Sequence, residues 1–276
     1  MKIIKIFNNN IVSARTDGGD EIIVTGSGIG FKKKVNDLVD EEKIEKKYIF
    51  QDALKPRFEA ALSEIPVVYF EITDKIITHA SKVLDTDFSS ELFISISDHI
   101  SFAVRRQKEG IFLPNVMLQE TKNLYPREFE VGLWSLKLIK KQMHITLDEG
   151  EAGFIALHLV NFSMKNNTNN GLRILTFTKD IMDIIQSNMD IPMNTGSLGY
   201  SRLTTHLKYL AERIFRGEVY DMEDTTEPIR QHLHDDKRLG ECVNKIQTYI
   251  QKQYHYTLSP DEQTYLCIHI KNNTRK

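Results

Sequence analysis

The stretch KKQMHITLDEGEAGFIALHLV, residues 140–160, returns 111 positions later as QKQYHYTLSPDEQTYLCIHIK, residues 251–271. Both copies place a histidine, a threonine-leucine pair and a glutamate at matching positions. Both also end in an apolar run that contains a second histidine, His158 or His269. Self-similarity at a fixed spacing marks a structural unit that the chain uses twice. We therefore interpret the fold as a duplication before interpreting any single residue.

A second block repeats at a shift of 107, where ISISDHISFAVRRQKEG (94–110) matches SRLTTHLKYLAERIFRG (201–217). The aligned pairs keep their residue type: His99 with His206, Arg106 with Arg213, and Gly110 with Gly217. The two blocks follow the same order, which predicts duplicated domains of about a hundred residues over 65–170 and 171–276. The difference between the two shifts indicates a small insertion in the second copy, around 218–236.

A helix start precedes the second histidine of each copy. Ser259–Glu262 combines a serine cap, a proline in the first helical position and a glutamate three residues after the serine. Asp148 takes the cap position in the first copy, so His158 and His269 each lie ten residues after a cap. We expect both histidines in the third turn of a helix.

The duplicated region as a whole is predicted to form all-α helical bundles. Residues 94–109 are amphipathic at helical spacing and precede Gly110, which suits a left-handed helix end. The polar segment 165–171, KNNTNNG, is predicted to link the two copies.

The first fifty residues have a different pattern. KIIKIF, NIVSA, EIIVTG and KKYIF are short β-rich runs separated by Asn- and Gly-rich turns, which predicts a small antiparallel sheet in a domain over residues 1–56. A sheet of this size is near the lower limit of independent stability, so we expect it to dimerise and cover its exposed face. Residues 1–36 carry six Lys or Arg and three Asp or Glu, a local excess of positive charge.

Composition limits the class of protein. The 276 residues are 41% hydrophobic and 27% charged, with a formal net charge of −2, which fits globular domains and excludes a global polycation. Two cysteines without CxxC spacing predict neither a disulfide framework nor a zinc site and fit a reducing cytoplasm. The chain shows no signal peptide and no apolar run of membrane-spanning length, so we expect a cytoplasmic protein without membrane insertion.

The glycine-rich loop GSGIGF, residues 26–31, has two interpretations. It is not a phosphate loop, because its spacing is GxGxG and no Ser or Thr follows Gly-Lys. It is either a turn between strands or a surface for nucleic acid. The second interpretation rests on nearby asparagines, on glycines that permit close backbone approach, and on Phe31 beside Lys32, Lys33 and Lys34.

The histidines divide into two groups. His232 and His234 form an HxH without a third metal ligand and are interpreted as loop residues. His144 and His255 are interpreted as structural residues, and His79 has no aligned counterpart. His99, His158, His206 and His269 repeat without a nucleophile, carboxylate pair or metal signature beside them. A lone histidine on an apolar face is more often a core residue, but a neutral imidazole can also accept a phosphoryl group.

These residues resemble a known family. MKIIKIFNNNIVSA, GSGIGFKKK and EEKIEKKYIF resemble the co-antiterminator RNA-binding domain of BglG/SacY/LicT-type transcriptional antiterminators. SDHISFAVRR with EAGFIALHLVN, and LTTHLKYLAERI with YLCIHIK, resemble the two phosphotransferase-system regulation domains (PRDs) that follow it. The resemblance covers essentially the whole chain and implies a sheet domain followed by a first PRD (65–170) and a second PRD (171–276).

The resemblance also implies site residues. The family's RNA contacts match Lys5, Asn8, Asn10, Gly26, Gly28 and Phe31. Its phosphoacceptor histidines match His99 and His158 in the first PRD, and His206 and His269 in the second. Ser27 replaces a basic residue that the family often has between the two glycines, which removes a phosphate contact. Asp98 matches the acid beside the first family histidine, and Thr205 replaces it in the second copy.

The resemblance implies how such a protein works. A homodimer binds a hairpin in nascent mRNA and prevents an overlapping terminator from forming. The sugar permease phosphorylates the first PRD and inactivates the protein, and the phosphocarrier HPr phosphorylates the second PRD and activates it. This predicts a non-enzymatic regulator without cofactor or metal. The alternatives are a PRD-containing DNA-binding activator, for which the β-rich start offers no helix-turn-helix, and a phosphohistidine-relay phosphotransferase.

Overall fold

The computed structural model describes residues 1–49, 64–164, 170–190, 194–218 and 236–274. Most of the predicted linker (165–171), most of the insertion region (218–236), and both His232 and His234 lie outside these residues. No helix within the described ranges is long and apolar enough to cross a membrane.

The N-terminal residues form one four-stranded sheet in the order β1-β2-β3-β4 with antiparallel neighbours. The strands are β1 (Lys2–Ile6), β2 (Ile11–Arg15), β3 (Glu21–Thr25) and β4 (Lys46–Ile49). A short 3-10 turn, Glu41–Lys43, precedes β4. The predicted meander is confirmed, because Asn8–Asn10 and the Asp17–Asp20 turn separate its first three strands as the sequence indicated.

Alternation along the strands gives the sheet two apolar faces. One face carries Val12, Ala14, Ile22 and Val24, and the segment after β3 covers it with Ile29 and Val39: all six side chains are at most 6% exposed. The other face carries Ile11, Ile23 and Tyr48, which belong to the same core as the helices that follow. The face that the sequence left without a partner is therefore covered by the chain's own helices, and dimerisation of the sheet stays a prediction.

The remaining described elements are helices, as the sequence predicted. They are α1 (Val67–Leu84), α2 (Glu91–Lys108), α3 (Leu118–Leu124), α4 (Pro126–Met143), α5 (Glu149–Phe162), α6 (Gly171–Met189), α7 (Leu198–Arg216), α8 (Lys237–Tyr254) and α9 (Pro260–Thr274). The chain is thus a small antiparallel sheet domain followed by all-α helical bundles.

Packing divides the chain into two units. The first unit holds Met1–Asn115 and Arg127–Asn169, and the second holds Val116–Pro126 and Asn170–Lys276. Helix α3 thus belongs to the second unit, where Tyr200 donates a hydrogen bond to Oε1 of buried Glu120 at 3.1 Å. The boundaries at 65–170 and 171–276 follow the sequence repeat, whereas packing assigns the segment around α3 to the later copy.

Local signals at the helix ends are confirmed. The Asp148 carboxylate accepts from the Gly150 amide at 2.8 Å, and Ser259 and Glu262 form a reciprocal capping box. Helix α2 ends as predicted, with Gly110 at a φ of 68°. It begins at Glu91 rather than at residue 94, because Leu92 and Phe93 are already fully buried in the first turn.

Candidate functional site

The first histidine pair lies between α2 and α5. His99 on α2 faces His158 on α5, with ring centroids 5.1 Å apart and planes inclined by 53°. The Asp148 cap places His158 in the third turn of α5, as the sequence predicted. Phe154, one turn before His158, contacts the His99 ring at 5.7 Å between centroids, and Ile155 is fully buried beneath the helix.

A buried ion pair supports the first histidine. Glu151 on α5 contacts Arg106 at 2.8 Å through Oε1, and its Oε2 lies 3.0 Å from Nε2 of His99. The two atoms are in ion-pair contact, and neither Oε2 nor Nε2 has a hydrogen-bond partner within the described residues. Glu151 and Arg106 are each 7% exposed, so the carboxylate is screened from water and held between the guanidinium and the imidazole.

His158 is an uncharged base at neutral pH. Its Nδ1 lies 2.9 Å from Oγ of Ser95, one turn before His99 on α2. Burial, and then the neighbouring His99, lower the pKa of His158 to about 3. The ring therefore carries a lone pair at pH 7, as a phosphoryl acceptor requires.

The second histidine pair repeats this arrangement between α7 and α9. The ring centroids of His206 and His269 are 5.0 Å apart, with planes inclined by 27°. Burial, then His269 and Arg213, lower the pKa of His206 to about 4. Burial and Arg202 lower the pKa of His269. The structure thus brings all four repeated histidines together in two equivalent pairs.

The carboxylate of the second copy has different partners. Glu262 aligns with Glu151 and contacts Arg213, but it also accepts from the Ser259 amide at 2.7 Å and from the Tyr256 hydroxyl at 3.1 Å. Nε2 of His206 is buried and has no hydrogen-bond partner in the part of the chain that the structure describes. The repeat aligned the arginines and the glutamates of the two copies, but it did not predict which groups each glutamate contacts.

The other described histidines have structural surroundings. His144 and His255 follow α4 and α8 in the left-handed conformation, with φ of 57° and 55°, and their amides bond carbonyls of the preceding turn. His79 on α1 stacks on Trp134 with centroids 3.8 Å apart. No group of His, Cys, Asp or Glu among the described residues could hold a metal ion.

A second candidate site is the loop surface of the sheet domain. Oδ1 of Asn8 accepts from the amides of Asn10 and Ile11 and shapes the β1–β2 turn. Oδ1 of Asn10 accepts from the Gly28 amide at 3.0 Å, which joins this turn to the glycine-rich loop. The structure thus brings together residues 8–10 and 26–31, which are separate in the sequence.

Each predicted glycine of this loop has a geometric reason. A Cβ on Gly26 would lie 1.7 Å from the carbonyl oxygen of Lys43, and Gly28 has a φ of 68°. Beside them Phe31 is 54% exposed, and the Lys32 ammonium lies 5.3 Å from the centre of its ring. Lys5 on β1 is exposed and lies over the Phe7 ring at 5.0 Å. The surface offers backbone, amide, aromatic and cationic groups.

Helix α1 contacts this domain through polar side chains. Nδ2 of Asn8 donates to Oε1 of Glu71 at 2.5 Å. The Tyr48 hydroxyl donates to Asp74 at 2.7 Å, and burial followed by the Asp74 charge raises the pKa of that phenol. Lys46 donates to Thr78 at 2.6 Å. One candidate RNA contact, Asn8, is therefore bound to a carboxylate of the first helix.

Comparisons with known proteins match both the sheet domain and the helical region by family. The CAT RNA binding domain family matches residues 1–55, and the PRD domain family matches residues 74–162 and 179–273. The chain is 37% identical to "Transcription antiterminator LicT" of Bacillus subtilis (strain 168), covering 98% of each chain. It is 35% identical to "Beta-glucoside operon antiterminator" of Dickeya chrysanthemi, covering 98% of this chain and 96% of that one.

A solved structure resembles more than half of this chain. "Crystal structure of GlcT CAT-PRDI" matches with a TM-score of 0.52 and 31% identity, and the match covers 57% of this chain and 95% of that one. An RNA-binding sheet domain, two PRD matches and full-length similarity to named antiterminators occur here in a single chain. The chain belongs to the BglG/SacY/LicT family of transcriptional antiterminators.

Proposed function

We propose that this chain binds a hairpin in nascent mRNA and stabilises it against an overlapping terminator, so that sugar-utilisation genes are transcribed. The observation that carries the proposal is the joined surface of Asn10, Gly28 and Phe31 on a domain that matches the CAT RNA binding domain family. Single-stranded or bulged RNA bases stack on aromatic side chains and expose edges to amide groups. Lys5, Asn8 and Gly26 complete the proposed contact surface.

Histidine phosphorylation is the proposed control. His99 and His158 receive phosphoryl groups through the sugar permease, which inactivates the protein, and His206 and His269 receive them from HPr, which activates it. The support is chemical, because burial keeps His158 and His206 neutral at pH 7. A phosphoryl group brings a charge of about −1.5 to −2 to a half-buried surface, where it requires a cation or drives the packed groups apart.

The protein is proposed to act as a homodimer in the cytoplasm, without enzymatic activity or cofactor. An aromatic side chain lies one turn after the first histidine of each pair: Phe102 is 48% exposed and Tyr209 is 63% exposed. Exposed aromatic groups at equivalent positions suit a protein interface. The alternative of a DNA-binding activator gains no support, since residues 1–49 form a sheet rather than a helix-turn-helix. A phosphotransferase would need a clamp for a small substrate, and no observation at the histidine pairs favours one.

RNA binding is tested by the mobility shift of a matching antiterminator hairpin with the full-length chain. We expect Asn10→Ala to weaken binding, whereas Asn244→Ala, an exposed asparagine on α8, should leave it unchanged. Equal affinities for the two variants and the wild type would contradict the assignment of the RNA surface.

Phosphorylation is tested with enzyme I, HPr and labelled phosphoenolpyruvate. We expect His206→Ala/His269→Ala to lose most of the label that HPr transfers. Label that persists unchanged in this double variant would show that the acceptor histidines of the second PRD are assigned wrongly. Adding the permease to the same reaction should label His99 and His158, and their double alanine variant is the matching control.

A further inference from the structure

The two histidine pairs differ in what the buried glutamate contacts. In the first pair Glu151 lies 3.0 Å from Nε2 of His99 as well as on Arg106. In the second pair the Glu262 carboxylate bonds Arg213, the Ser259 amide and the Tyr256 hydroxyl. The two copies therefore keep the same acid but place it differently relative to the imidazole.

One aligned position accounts for part of this difference. The repeat that pairs His144 with His255 also pairs Ile145 with Tyr256. The Tyr256 hydroxyl lies 3.1 Å and 3.3 Å from the two oxygens of Glu262, so it competes for the carboxylate. The Ile145 side chain has no donor and packs against the core of the first unit. Without such a competitor, Glu151 is free to face His99.

A carboxylate beside one ring nitrogen decides where a neutral imidazole carries its proton. A neutral ring has one N–H and one lone pair, and a lone pair that faced the carboxylate would be repelled. The proton of His99 therefore belongs on Nε2, beside Glu151. Nδ1 is then left with the lone pair, and the structure records no hydrogen bond of that atom to any described residue.

We propose that Glu151 is a positioning residue that holds the His99 proton on Nε2, so that Nδ1 of His99 is the atom that accepts the phosphoryl group. The role of Nδ1 rests on the proposed function, whereas the position of the proton does not. His206, whose Nε2 lacks a carboxylate contact, is not restricted in this way. Tyr256 is accordingly one residue that separates the behaviour of the two copies.

The transfer balances without an additional reactant when the donor is a phosphohistidine of a carrier protein. The Nδ1 lone pair of His99 forms the new N–P bond while the donor N–P bond breaks, and the donor imidazole retains the electron pair. No proton moves, because Nε2 keeps its hydrogen throughout. The phosphorylated ring becomes positively charged, and the Glu151 carboxylate stabilises that charge.

The proton position is measured first, in the unphosphorylated full-length chain labelled with ¹⁵N-histidine. Long-range ¹H–¹⁵N correlation spectra distinguish Nδ1–H from Nε2–H rings, and His99→Gln assigns the His99 signals among the nine histidines. We expect His99 to be the Nε2–H tautomer by roughly tenfold, and Glu151→Gln to reduce this preference severalfold. Glu130→Gln, an exposed glutamate on α4, should leave it unchanged. A predominant Nδ1–H tautomer in the wild type would overturn the proposal.

The acceptor atom is measured second, after phosphorylation by the carrier system and by phosphoramidate, a small phosphoryl donor. The variant used carries His206→Ala, His269→Ala and His158→Gln, so that His99 is the remaining candidate acceptor, and circular dichroism checks its fold. Antibodies specific for each phosphohistidine isomer should find the Nδ1 isomer in this variant. Dominance of the Nε2 isomer would overturn the inference. Labelling by phosphoramidate but not by any carrier would instead count against the proposed function alone.

The role of Tyr256 has its own comparison. Tyr256→Phe removes the hydroxyl while keeping the ring, which leaves Glu262 with one donor fewer. We expect the Nε2–H share of His206 to rise at least about twofold. An unchanged His206 spectrum in a folded variant would show that Tyr256 does not control the difference between the copies.

Discussion

Nδ2 of Asn8 donates a hydrogen bond of 2.5 Å to Oε1 of Glu71, so a proposed RNA contact is bound to a carboxylate of helix α1. The two residues are 63 positions apart in the sequence and belong to the same packed unit. RNA that accepts the same Nδ2 hydrogen must break this bond. Glu71 therefore connects helix α1 physically to the proposed RNA surface.

Glu71→Gln should strengthen RNA binding by the full-length chain. The substitution replaces a charged acceptor by a neutral one, and a charge-assisted bond is worth about 1.5–3 kcal/mol in place of about 1 kcal/mol. We expect the dissociation constant of a matching hairpin to fall severalfold, as measured by fluorescence anisotropy. Glu130→Gln is the control for removing one negative charge, and weaker binding by Glu71→Gln would contradict the competition.

Phe31→Ala should weaken RNA binding without affecting the fold. The ring is 54% exposed and is the aromatic group of the proposed RNA surface. Stacking of one base on an aromatic side chain contributes roughly 1–3 kcal/mol, so affinity should fall by about fivefold to a hundredfold. Phe112→Ala, at a 68% exposed ring in the first unit, should leave RNA affinity unchanged, and the thermal midpoints of both variants should match the wild type.

Gly26→Ala should destabilise the sheet domain. A Cβ at this position would lie 1.7 Å from the Lys43 carbonyl oxygen, a contact that requires the backbone before β4 to move. Gly18→Ala is the matched control, since its Cβ would meet its nearest neighbour at 3.7 Å. Hydrogen exchange of the β3 and β4 amides should increase in the first variant only. Equal protection in both would mean that the loop tolerates a side chain.

Arg106→Met should destabilise the first unit strongly, because it leaves the Glu151 carboxylate buried beside His99 without its cation. Removing one partner of a buried ion pair costs about 3–5 kcal/mol. Arg105→Met is the control, since the Arg105 side chain is exposed whereas Arg106 is buried. Urea denaturation of both variants measures the difference, and similar midpoints would show that Glu151 finds another partner.

Acidification should destabilise the protein through its buried histidines. The folded-state pKa is about 3 for His158 and about 4 for His206, below the ordinary value of 6.5 in the unfolded chain. Their contribution is therefore fully present above pH 6.5 and is lost as pH falls from there toward 4 and 3. The free energy of unfolding should decline more steeply between pH 6.5 and 4.5 in the wild type than in His206→Gln. Parallel curves would contradict this.

Local features of the structure were predictable from the sequence, whereas contacts between distant segments were not. Asp148 and Ser259 predicted the starts of their helices, because a capping side chain bonds an amide only two or three residues further along the chain. The repeat paired Glu151 with Glu262, but it did not show that Glu262 bonds the Tyr256 hydroxyl while Glu151 faces His99. From the sequence alone, Asp74 and Glu71 would be interpreted as solvent-exposed charged residues of a helix. Only the packing of the sheet on α1 turns them into partners of Tyr48 and Asn8.

Helix α3 affects how the protein can be divided. Its residues pack with the second unit, although the chain on both sides of it belongs to the first, so the backbone passes from one unit to the other three times rather than once. A recombinant fragment that stopped near residue 169 would keep α3 but lack Tyr200, the hydrogen-bond donor to Glu120. A fragment that began at residue 170 would lack the helix altogether. Any cut between residues 126 and 170 therefore separates α3 from the unit with which it packs.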